Sequence, residues 1–409
     1  MPRQQPDQPR TASTSGALGP DIDLRDPLRD LREPDIVRGA GHGAPFIHGV
    51  HTSVAAFIGD APGLPGKPAF VRHPLEFIEA FSPRTADGEA PSFVHDAVLG
   101  HFRNGGGGAW ILGTGDGGAR GAGDVDRVAA YRAALARLER LPEISLVVAP
   151  DLWRVEEEAD GIAQAIAGHC ARVGHRVALL HTRQGLAPAD VHSRPFGLAE
   201  PDAQFVAVHY PWITVTEVGG NERLVPPSGH VSGMCCRADT EQGVHTTPVG
   251  SLVGVVKQER ELTDAERESV TGLGVNCLRF VQGQGVRALS AQTLSTEADW
   301  SDLGVRRLVN YTRASLEQGT RWAAFDTNTA QLRALMRQST TTFLKGLWRH
   351  GALPGGSAAE AFEVVCDDTN NTAEDVARGR VNLDVGLAAV RPAEFVTFRV
   401  QHDIGNRTI

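Results

Sequence analysis

Ile144-Ser145-Leu146-Val147-Val148-Ala149 is a short, β-branched apolar run between two stretches of helical periodicity. The stretch before it runs from Val125 to Leu141 and the one after it from Glu156 to Val173, and Arg176 to His181 follows as another apolar run. Short buried strands that alternate with helices are typical of an α/β layer with a largely parallel sheet. This part of the chain therefore predicts an α/β fold.

The same alternation continues towards the N-terminus and a little beyond His181. Apolar runs that end at Gly or Pro predict buried strands, and one-sided apolar spacing predicts helices. The predicted helices are Pro74 to Phe81 and Ser92 to Arg103, and the predicted strands are Val54 to Gly59, Ala109 to Leu112, Phe205 to Val208 and Ile213 to Val218.

The last third of the chain has a different pattern. Just before it, at the end of the α/β layer, Thr263-Asp264-Ala265-Glu266 is a capping box, so a helix is expected to start there. Longer helices and separate strands then predict an α+β unit with an extended C-terminal strand. The predicted helices are Arg306 to Glu317 and Ala330 to Leu347, and the predicted strands are Val286 to Leu289, Trp322 to Phe325, Ala361 to Cys366 and Glu394 to His402.

Composition excludes several classes of protein. The 409 residues carry 40 Lys and Arg against 49 Asp and Glu, a net charge of −9, which argues against non-specific nucleic-acid binding. The longest apolar runs are far shorter than the ~20 residues of a membrane span, and Met1 to Pro20 has no apolar signal core. Five cysteines without a C-x-x-C pair predict neither disulfides nor a zinc site. Synthesis and folding in the cytosol are expected.

Two motifs keep enzymatic alternatives open. Gly113-Thr114-Gly115-Asp116-Gly117-Gly118 fits G-x-G-x-x-G after a strand, although no helix opens directly after it, as a dinucleotide site requires. The segments around Ser53 and His230 are similar to the Ser and His segments of subtilisin-like proteases, but in the reverse chain order. A flexible loop and a structural core are the favoured interpretations, with a nucleotide-binding enzyme or a subtilisin-like hydrolase as alternatives.

One helix carries a cluster of positive charge. Arg333, Arg337, Lys345 and Arg349 lie at multiples of four residues, and the window from Thr329 to Gly351 contains no acidic residue. A solvated helix face is the simpler interpretation. Docking onto an acidic partner surface is the functional one.

Several blocks, in order, resemble the contractile tail sheath proteins of phages and contractile injection systems. The C-terminal blocks are the clearest, and the ordered set spans roughly residues 46 to 402. The blocks are Gly49 to Gly59, similar to "G-V-x-T-S-V-A-A-F-V-G"; Phe102 to Gly106; Gly285 to Ser295; Val305 to Tyr311, similar to "V-R-R-L-x-N-Y"; Gly319 to Asn328; Phe343 to Leu353; Ala361 to Asp367; and Arg391 to Val396, similar to "K-P-A-E-F-I".

The resemblance implies a fold and a domain order. It implies a subtilisin-like α/β sheath domain plus a C-terminal α+β sheath domain, with extended N- and C-terminal arms. The implied divisions are a partly disordered arm over 1–45, the α/β domain over 46–272, the α+β domain over 273–390 and a C-terminal strand and arm over 391–409.

The resemblance also implies a structural role without catalysis, cofactor or metal. Subunits are expected to form stacked hexameric rings around an inner tube and to contract, with baseplate and terminal cap proteins as further partners and no nucleic acid or membrane insertion. Assembly in the bacterial cytoplasm is expected, as part of a phage tail or of a tail-like particle released from the cell. Residues expected in inter-subunit strand exchange are Phe46, Ile47, Phe395, Val396, Phe398 and Val400, and residues expected to contact the tube are Arg333, Arg337, Lys345 and Arg349.

Overall fold

The structure is a computed structural model that describes residues 44–59, 63–81, 93–114, 126–216 and 220–404. Most of the predicted N-terminal arm, the loop after Thr114 and the last five residues lie outside these ranges. Gly39–Ile409 forms one unit by its internal contacts, so the regions below are parts of one body.

A nine-stranded sheet forms the centre of the first two thirds of the chain. Its order is β2-β3-β1-β4-β5-β6-β11-β12-β9. The strands from β3 to β11 in this order run parallel, whereas β2, β12 and β9 are antiparallel to their neighbours. The predicted parallel α/β layer is confirmed. The strands are β1 Val54–Gly59, β2 Ala69–Val71, β3 Gly108–Gly113, β4 Leu146–Val148, β5 Val177–His181, β6 Val206–Tyr210, β9 Gly250–Ser251, β11 Val275–Val281 and β12 Gly285–Ala288.

Helices cover both faces of this sheet, which is why its central strands are apolar on both sides. One face packs against α3, α4 and α6 and the other against α1, α2 and α5, so two separate apolar cores lie above and below the strands. A small sheet, in the order β10-β7-β8, adds to the second core. These elements are α1 Pro74–Phe81, α2 Phe93–Arg103, α3 Arg127–Leu138, α4 Glu156–Val173, α5 Ser228–Gln242, α6 Asp264–Gly272, β7 Ile213–Thr216, β8 Glu222–Val225 and β10 Val255–Gln258.

Helices α2 and α5 approach each other closely because α5 presents glycines at the contact. A Cβ atom on Gly233 would lie 2.1 Å from the His101 carbonyl oxygen, and one on Gly229 would lie 2.4 Å from the Ala97 carbonyl oxygen. Any side chain at either position would meet backbone, which cannot rotate away. The helix pair is therefore fixed at a distance that only glycine permits.

The C-terminal third packs two long helices against a three-stranded antiparallel sheet in the order β13-β14-β15. Its core joins Leu308 and Leu316 of the first helix to Met336 of the second and to Val385 of the central strand. This part has a separate core, as predicted for an α+β unit. Its elements are α7 Leu303–Gly319, α8 Ala330–Arg349, α9 Ala358–Ala361, α10 Ala373–Ala377, β13 Phe362–Val365, β14 Arg380–Arg391 and β15 Glu394–Asp403.

Two sequence expectations differ from the structure here. The predicted strand from Trp322 to Phe325 is wrong, because Arg321–Phe325 is a 3-10 turn in which Ala323 is buried and Phe325 is 86% exposed. The run is too short for its composition to distinguish a strand from a turn. The expected domain division at 272/273 precedes β11 and β12, and both of these strands belong to the large sheet.

Candidate functional site

The segment 44–53, called the strap below, leads from the N-terminal part of the chain into β1. Its first half lies against the C-terminal core rather than the large sheet. Ile47 is 2% exposed, and a Cβ on Gly319 would lie 2.6 Å from its Cγ2 atom, so the glycine in α7 makes room for Ile47. Phe46 is 69% exposed, with its ring 5.0 Å from that of His48. The backbone from 44 to 50 forms neither helix nor strand.

A buried ion pair fastens the second half of the strap. The Thr52 hydroxyl donates to the Asp239 carboxylate of α5 at 2.6 Å, and Arg307 of α7 donates to the same carboxylate at 2.7 Å and 2.5 Å. Burial alone would lower the pKa of Arg307, but the Asp239 carboxylate raises it above its ordinary value. Both side chains are almost fully buried, at 3% and 6% exposed. The pair joins the strap, α5 and α7 at one point.

The preceding arginine holds α7 to the large sheet in another way. Arg306 donates to the side-chain oxygens of Gln204 at 2.6 Å and Asn310 at 2.9 Å, and its guanidinium lies 4.0 Å from the Trp300 ring centre and 4.6 Å from that of Phe205. Burial, followed by the charge of Arg313, lowers its pKa to about 9. Sequence reasoning missed this junction. The available signal was the pair Arg306 and Arg307 inside an apolar helical pattern. Adjacent residues of a helix point in different directions, so one arginine can face the strap and the other the large sheet.

The strand that carries four of the predicted exchange residues is paired inside its own chain. β15 runs antiparallel to β14 along almost its full length, from Arg380 opposite Asp403 to Arg391 opposite Glu394. Val396 and Val400 are buried in the C-terminal core, whereas Phe395 and Phe398 are half-buried. Because β15 is the last strand in the sheet order, its outer edge has no strand neighbour among the described residues.

Two side-chain contacts fix the register of β15. Arg399 pairs with Asp384 of β14, donating from Nε at 2.5 Å and Nη2 at 2.8 Å, and these bonds lower the pKa of the Asp384 carboxyl. His402 lies 2.7 Å from the Thr320 hydroxyl at the end of α7. Burial, and then the charge of Arg321, lowers the pKa of His402. The two contacts lie on the outer and inner faces of the strand, so they select one register.

The predicted basic surface of α8 divides into two parts. Arg333 is buried and donates to Asn328 at 2.7 Å and to Asp368 at 2.6 Å. Arg337 is exposed, 3.7 Å from the Asp367 carboxylate. The expected surface of four exposed charges is thus corrected at Arg333, whose guanidinium is held inside the protein. The two carboxylates come from a loop 30 to 35 residues further along the chain, so a count of the charges on the helix alone could not include them.

The other two cations of α8 form an open basic end. Lys345 and Arg349 are exposed, and neither has an acidic partner in the parts of the chain that the structure describes. His350, the next residue, is also exposed. This end is the part of α8 that fits an acidic partner best.

The residues behind the enzymatic alternatives do not assemble an open site. His230 lies in α5 against Gly100 of α2, fully buried, and burial lowers its pKa to about 3. The two hydroxyl–histidine contacts in this region, Ser232 with His101 and Ser228 with His181, are buried as well. A nucleophile needs access to substrate, which these pairs lack. The Gly113 to Gly118 loop lies mostly outside the described residues.

The ranges that the structure describes contain neither a metal-binding cluster nor a membrane-spanning helix. No cluster of three or more His, Cys, Asp or Glu side chains among them could hold a metal ion. No helix among them is long and apolar enough to span a membrane.

Comparison with known proteins confirms the family resemblance. Residues 295–403 match the family model of the phage tail sheath C-terminal domain. The chain is 26% identical over 181 residues to the tail sheath protein of Enterobacteria phage T4, covering 43% of this chain and 26% of that one. It is 24% identical over 184 residues to a putative prophage major tail sheath protein of Pseudomonas aeruginosa UCBPP-PA14, covering 44% and 46%. The chain thus spans between a quarter and half of the length of these relatives.

Solved structures extend the likeness to the whole fold. The contracted helical sheath of the anti-feeding prophage matches with a TM-score of 0.69 at 23% identity, covering 95% of this chain and 99% of that one. The contracted sheath of an extracellular contractile injection system, PVC, matches with a TM-score of 0.68 at 20% identity, covering 95% and 98%. Tail sheath proteins are structural proteins and not enzymes, in agreement with the prediction that this chain has no catalytic role.

Proposed function

We propose that this chain is the structural subunit of a contractile sheath, in a phage tail or a contractile injection system. The match of residues 295–403 to the tail sheath C-terminal domain carries the proposal. The fold likeness to two sheaths along nearly the whole chain supports it. The subunits stack as hexameric rings around an inner tube and contract to drive that tube through a target envelope. The subtilisin-like description of the α/β domain belongs to this proposal as a statement about fold, not about a reaction.

Contraction in this proposal needs no bound nucleotide. The extended sheath is metastable, and the energy comes from the difference in packing between two arrangements of the same subunits. Baseplate and terminal cap proteins are the further partners, and neither nucleic acid nor membrane insertion has a part. A baseplate structure of the anti-feeding prophage, matched at a TM-score of 0.67, supports such an assembly. Assembly takes place in the bacterial cytoplasm, before the particle acts or is released.

Subunits are linked by exchanged strands in the proposal. Main-chain hydrogen bonds provide affinity in this mode of recognition, and alternate side chains provide register. The open edge of β15, the buried Val396 and Val400 on its inner face, and the exposed Phe46 beside the anchored Ile47 support this assignment. Phe395 and Phe398 complete the set, since both keep part of their rings exposed.

The basic end of α8 contacts the tube in the proposal. Lys345 and Arg349 supply the contact, Arg337 contributes at its margin, and Arg333 holds the helix to the Asp367–Asp368 loop. Exposed charge contacts are weak and screened by salt, so they can be broken during contraction more readily than an apolar interface.

Electron microscopy tests the main proposal directly. The purified chain, alone and with the tube protein encoded beside it, should form hollow, cross-striated cylinders with six-fold end views in negative stain. Monomers under both conditions would contradict a sheath function.

A charge reversal tests the tube contact separately. The double substitution Lys345→Glu and Arg349→Glu should reduce co-assembly with the tube while leaving thermal unfolding unchanged. The matched control reverses Arg132 and Arg140, two exposed cations of and just after α3, and should co-assemble normally. Equal co-assembly of both variants would remove the tube contact and leave the sheath proposal standing.

A further inference from the structure

Arg176, directly before β5, is fully buried and pairs with no carboxylate in the ranges that the structure describes. Burial lowers its pKa to about 10, so the guanidinium keeps its charge at neutral pH. It donates from Nη2 to the carbonyl oxygens of Leu138 and Leu141, at and just after the end of α3, at 2.8 Å and 2.6 Å. Its Nη1 lies 2.8 Å from Nε2 of His169 in α4. A buried cation is costly unless it is hydrogen-bonded, so these contacts hold the guanidinium in place.

The contact between the two side chains fixes where the imidazole of His169 carries its proton. A guanidinium has only donors, so His169 Nε2 must accept with its lone pair, and the proton of the neutral ring lies on Nδ1. Nδ1 is buried and has no hydrogen-bond partner among the described residues. A second proton, at Nε2, would set one N–H against another and remove the bond. The contact between Arg176 and His169 therefore exists only while His169 is neutral.

Helix α7 rests on the same short segment before β5. Asn310 donates from Nδ2 to the carbonyl oxygen of Arg176 at 3.2 Å. Arg313 lies against Gly174, because a Cβ atom on this glycine would be 2.4 Å from its Nη1. A cleft of about 350 Å³ lies beside these contacts, lined by α7, the strap and the residues before β4 and β5. The position of Arg176 thus helps to hold α7 to the large sheet.

We propose that His169 and Arg176 form a proton-operated latch, in which a proton on His169 releases the end of α3 and loosens α7 from the α/β region. The chain then opens at this junction while the central strands of the large sheet stay paired. The latch goes beyond the proposed sheath function and does not depend on it. Through it, acid changes how the two regions of one subunit are held together before either region unfolds.

The charged groups around the latch oppose a further proton. Burial first, and then the charges of Arg176 and Arg172, lowers the pKa of His169 to about 3. Burial, followed by Arg176 and Arg313, lowers the pKa of the neighbouring His175 to about 4. The other titratable groups that face this cluster are Glu139 and Glu143 after α3, Cys170 of α4, Asp202 of the 3-10 turn before β6, Glu317 of α7 as the partner of Arg313, and His51, Arg307 and Tyr311 in the cleft beside His175.

Acid should therefore open the latch by a defined factor. The open form binds protons with the ordinary histidine pKa of about 6.5, and the closed form with a pKa of about 3 at His169. Because the open form takes up more protons below pH 6.5, the latch is closed above that pH and opens as the pH falls. Between pH 7 and pH 5.5 the open fraction should increase about eightfold for each histidine that becomes exposed on opening.

Hydrogen exchange of the unassembled full-length chain measures this opening. After correction for intrinsic exchange rates, the protection of residues 134–145 and 305–317 should fall about eightfold or more from pH 7 to pH 5.5. In His169→Gln the side-chain oxygen accepts from Arg176 at either pH, so the fall should be about eightfold smaller. His181→Gln is the matched control, because His181 is equally buried, with its pKa lowered to about 3, at the other end of β5. It should leave the fall in these two segments unchanged.

Two results would overturn the latch. Equal falls in wild type and His169→Gln would show that another group opens the junction. A fall that His181→Gln reduces as much as His169→Gln does would show that these segments exchange only when the whole chain unfolds. Should His169→Gln fail to fold, ¹⁵N NMR of the wild-type histidines decides. His169 should carry its proton on Nδ1 and titrate well below pH 6.5, and a proton on Nε2 or an ordinary titration would contradict the latch.

Discussion

The large sheet and the C-terminal sheet differ in how their edge strands are built. The large sheet buries its central strands under helices on both faces and ends in the short strands β2 and β9, of three and two residues. Short edge strands are a common protection against pairing with other chains. The C-terminal sheet ends in β15, a strand of ten residues with an open edge. The first region protects its edges with short strands, and the second leaves a long strand at its edge.

The charged groups differ between the regions in the same sense. In the α/β region, four histidines, one each in β5, β6, α2 and α5, are buried and their pKa values are lowered by burial. In the C-terminal region, most ion pairs lie near the surface, where salt and water weaken them.

Lowering the pH should destabilise the α/β region, and we expect this to be the largest of the effects on stability. Burial lowers the pKa of His101 and His209 to about 4 and of His181 and His230 to about 3, against about 6.5 when unfolded. The unfolded chain therefore binds more protons below pH 6.5, so stability is full above that pH and declines as the pH falls towards 4. At pH 5 each histidine should cost about 2 kcal/mol as an upper bound.

The measurement is the urea midpoint at pH 7 and pH 5. The midpoint should be much lower at pH 5, and His181→Gln should reduce the pH dependence, whereas His192→Gln, at an exposed position, should leave it unchanged. A midpoint that is equal at both pH values would show that the histidines are accessible to protons in the folded chain.

Removal of the Asp239 carboxylate, which joins the strap, α5 and α7, should have the next largest effect on stability. Asp239→Ala leaves Arg307 charged and buried without a partner and deprives the Thr52 hydroxyl of its acceptor, which should cost about 3–5 kcal/mol of unfolding free energy. Glu222→Ala removes the partner of Lys257 in an exposed pair and should cost less than about 1 kcal/mol. Equal losses in urea titrations would mean that the junction is open to solvent.

Substituting glycines by alanine compares how well each region tolerates an added methyl group. Gly233→Ala places a methyl group against the backbone of α2 and should cost about 1–3 kcal/mol or more. The methyl group of Gly319→Ala meets the Ile47 side chain of the strap first, which can move, so its cost should be smaller, with faster amide exchange in residues 45–53. Gly346→Ala has open space around it and should stabilise α8 by up to about 1 kcal/mol. A larger loss for Gly319→Ala than for Gly233→Ala would reverse the comparison.

The smallest effect belongs to the surface pair of the C-terminal sheet. Arg399→Ala should cost about 1 kcal/mol or less, because its side chain is 53% exposed and that of Asp384 is 31% exposed. The cost should shrink further in high salt. Calorimetry at low and high salt checks this, and a salt-independent loss of several kcal/mol would place the pair in a buried environment.

Sequence reasoning succeeded where periodicity and flanking residues agreed. Val54–Gly59 and Glu156–Val173 have the predicted bounds, because an apolar run ending at glycine and a long amphipathic stretch are strong local signals. Helix α5 was missed, since its glycines, serines and cysteines are weak helix formers and it is buried on nearly all sides. Strand β14 was missed because Asn382, Asp384 and Gly386 interrupt its apolar pattern.

The candidate site was less predictable for a related reason. The residues of β15 could be identified from their alternation, but their partner strand could not, because pairing depends on contacts distant in sequence. Arg333 looked like its exposed neighbours in the helix pattern, and only the position of Asp368 shows that it is buried and paired. Residue type and spacing describe a surface, and tertiary contacts decide which of its members face solvent.

The strap gives the molecule a load path. Tension applied at residue 44 meets Ile47 in the C-terminal core first, then the Val50 N–H bonded to Ser315 of α7, and last Thr52 at the Asp239 carboxylate. All three anchors act before the force reaches β1, and the first two act on the C-terminal region and on the helix that joins it to the large sheet. A pull on the N-terminal side of the subunit is therefore resisted by the C-terminal region, by α7 and by α5 before it reaches β1.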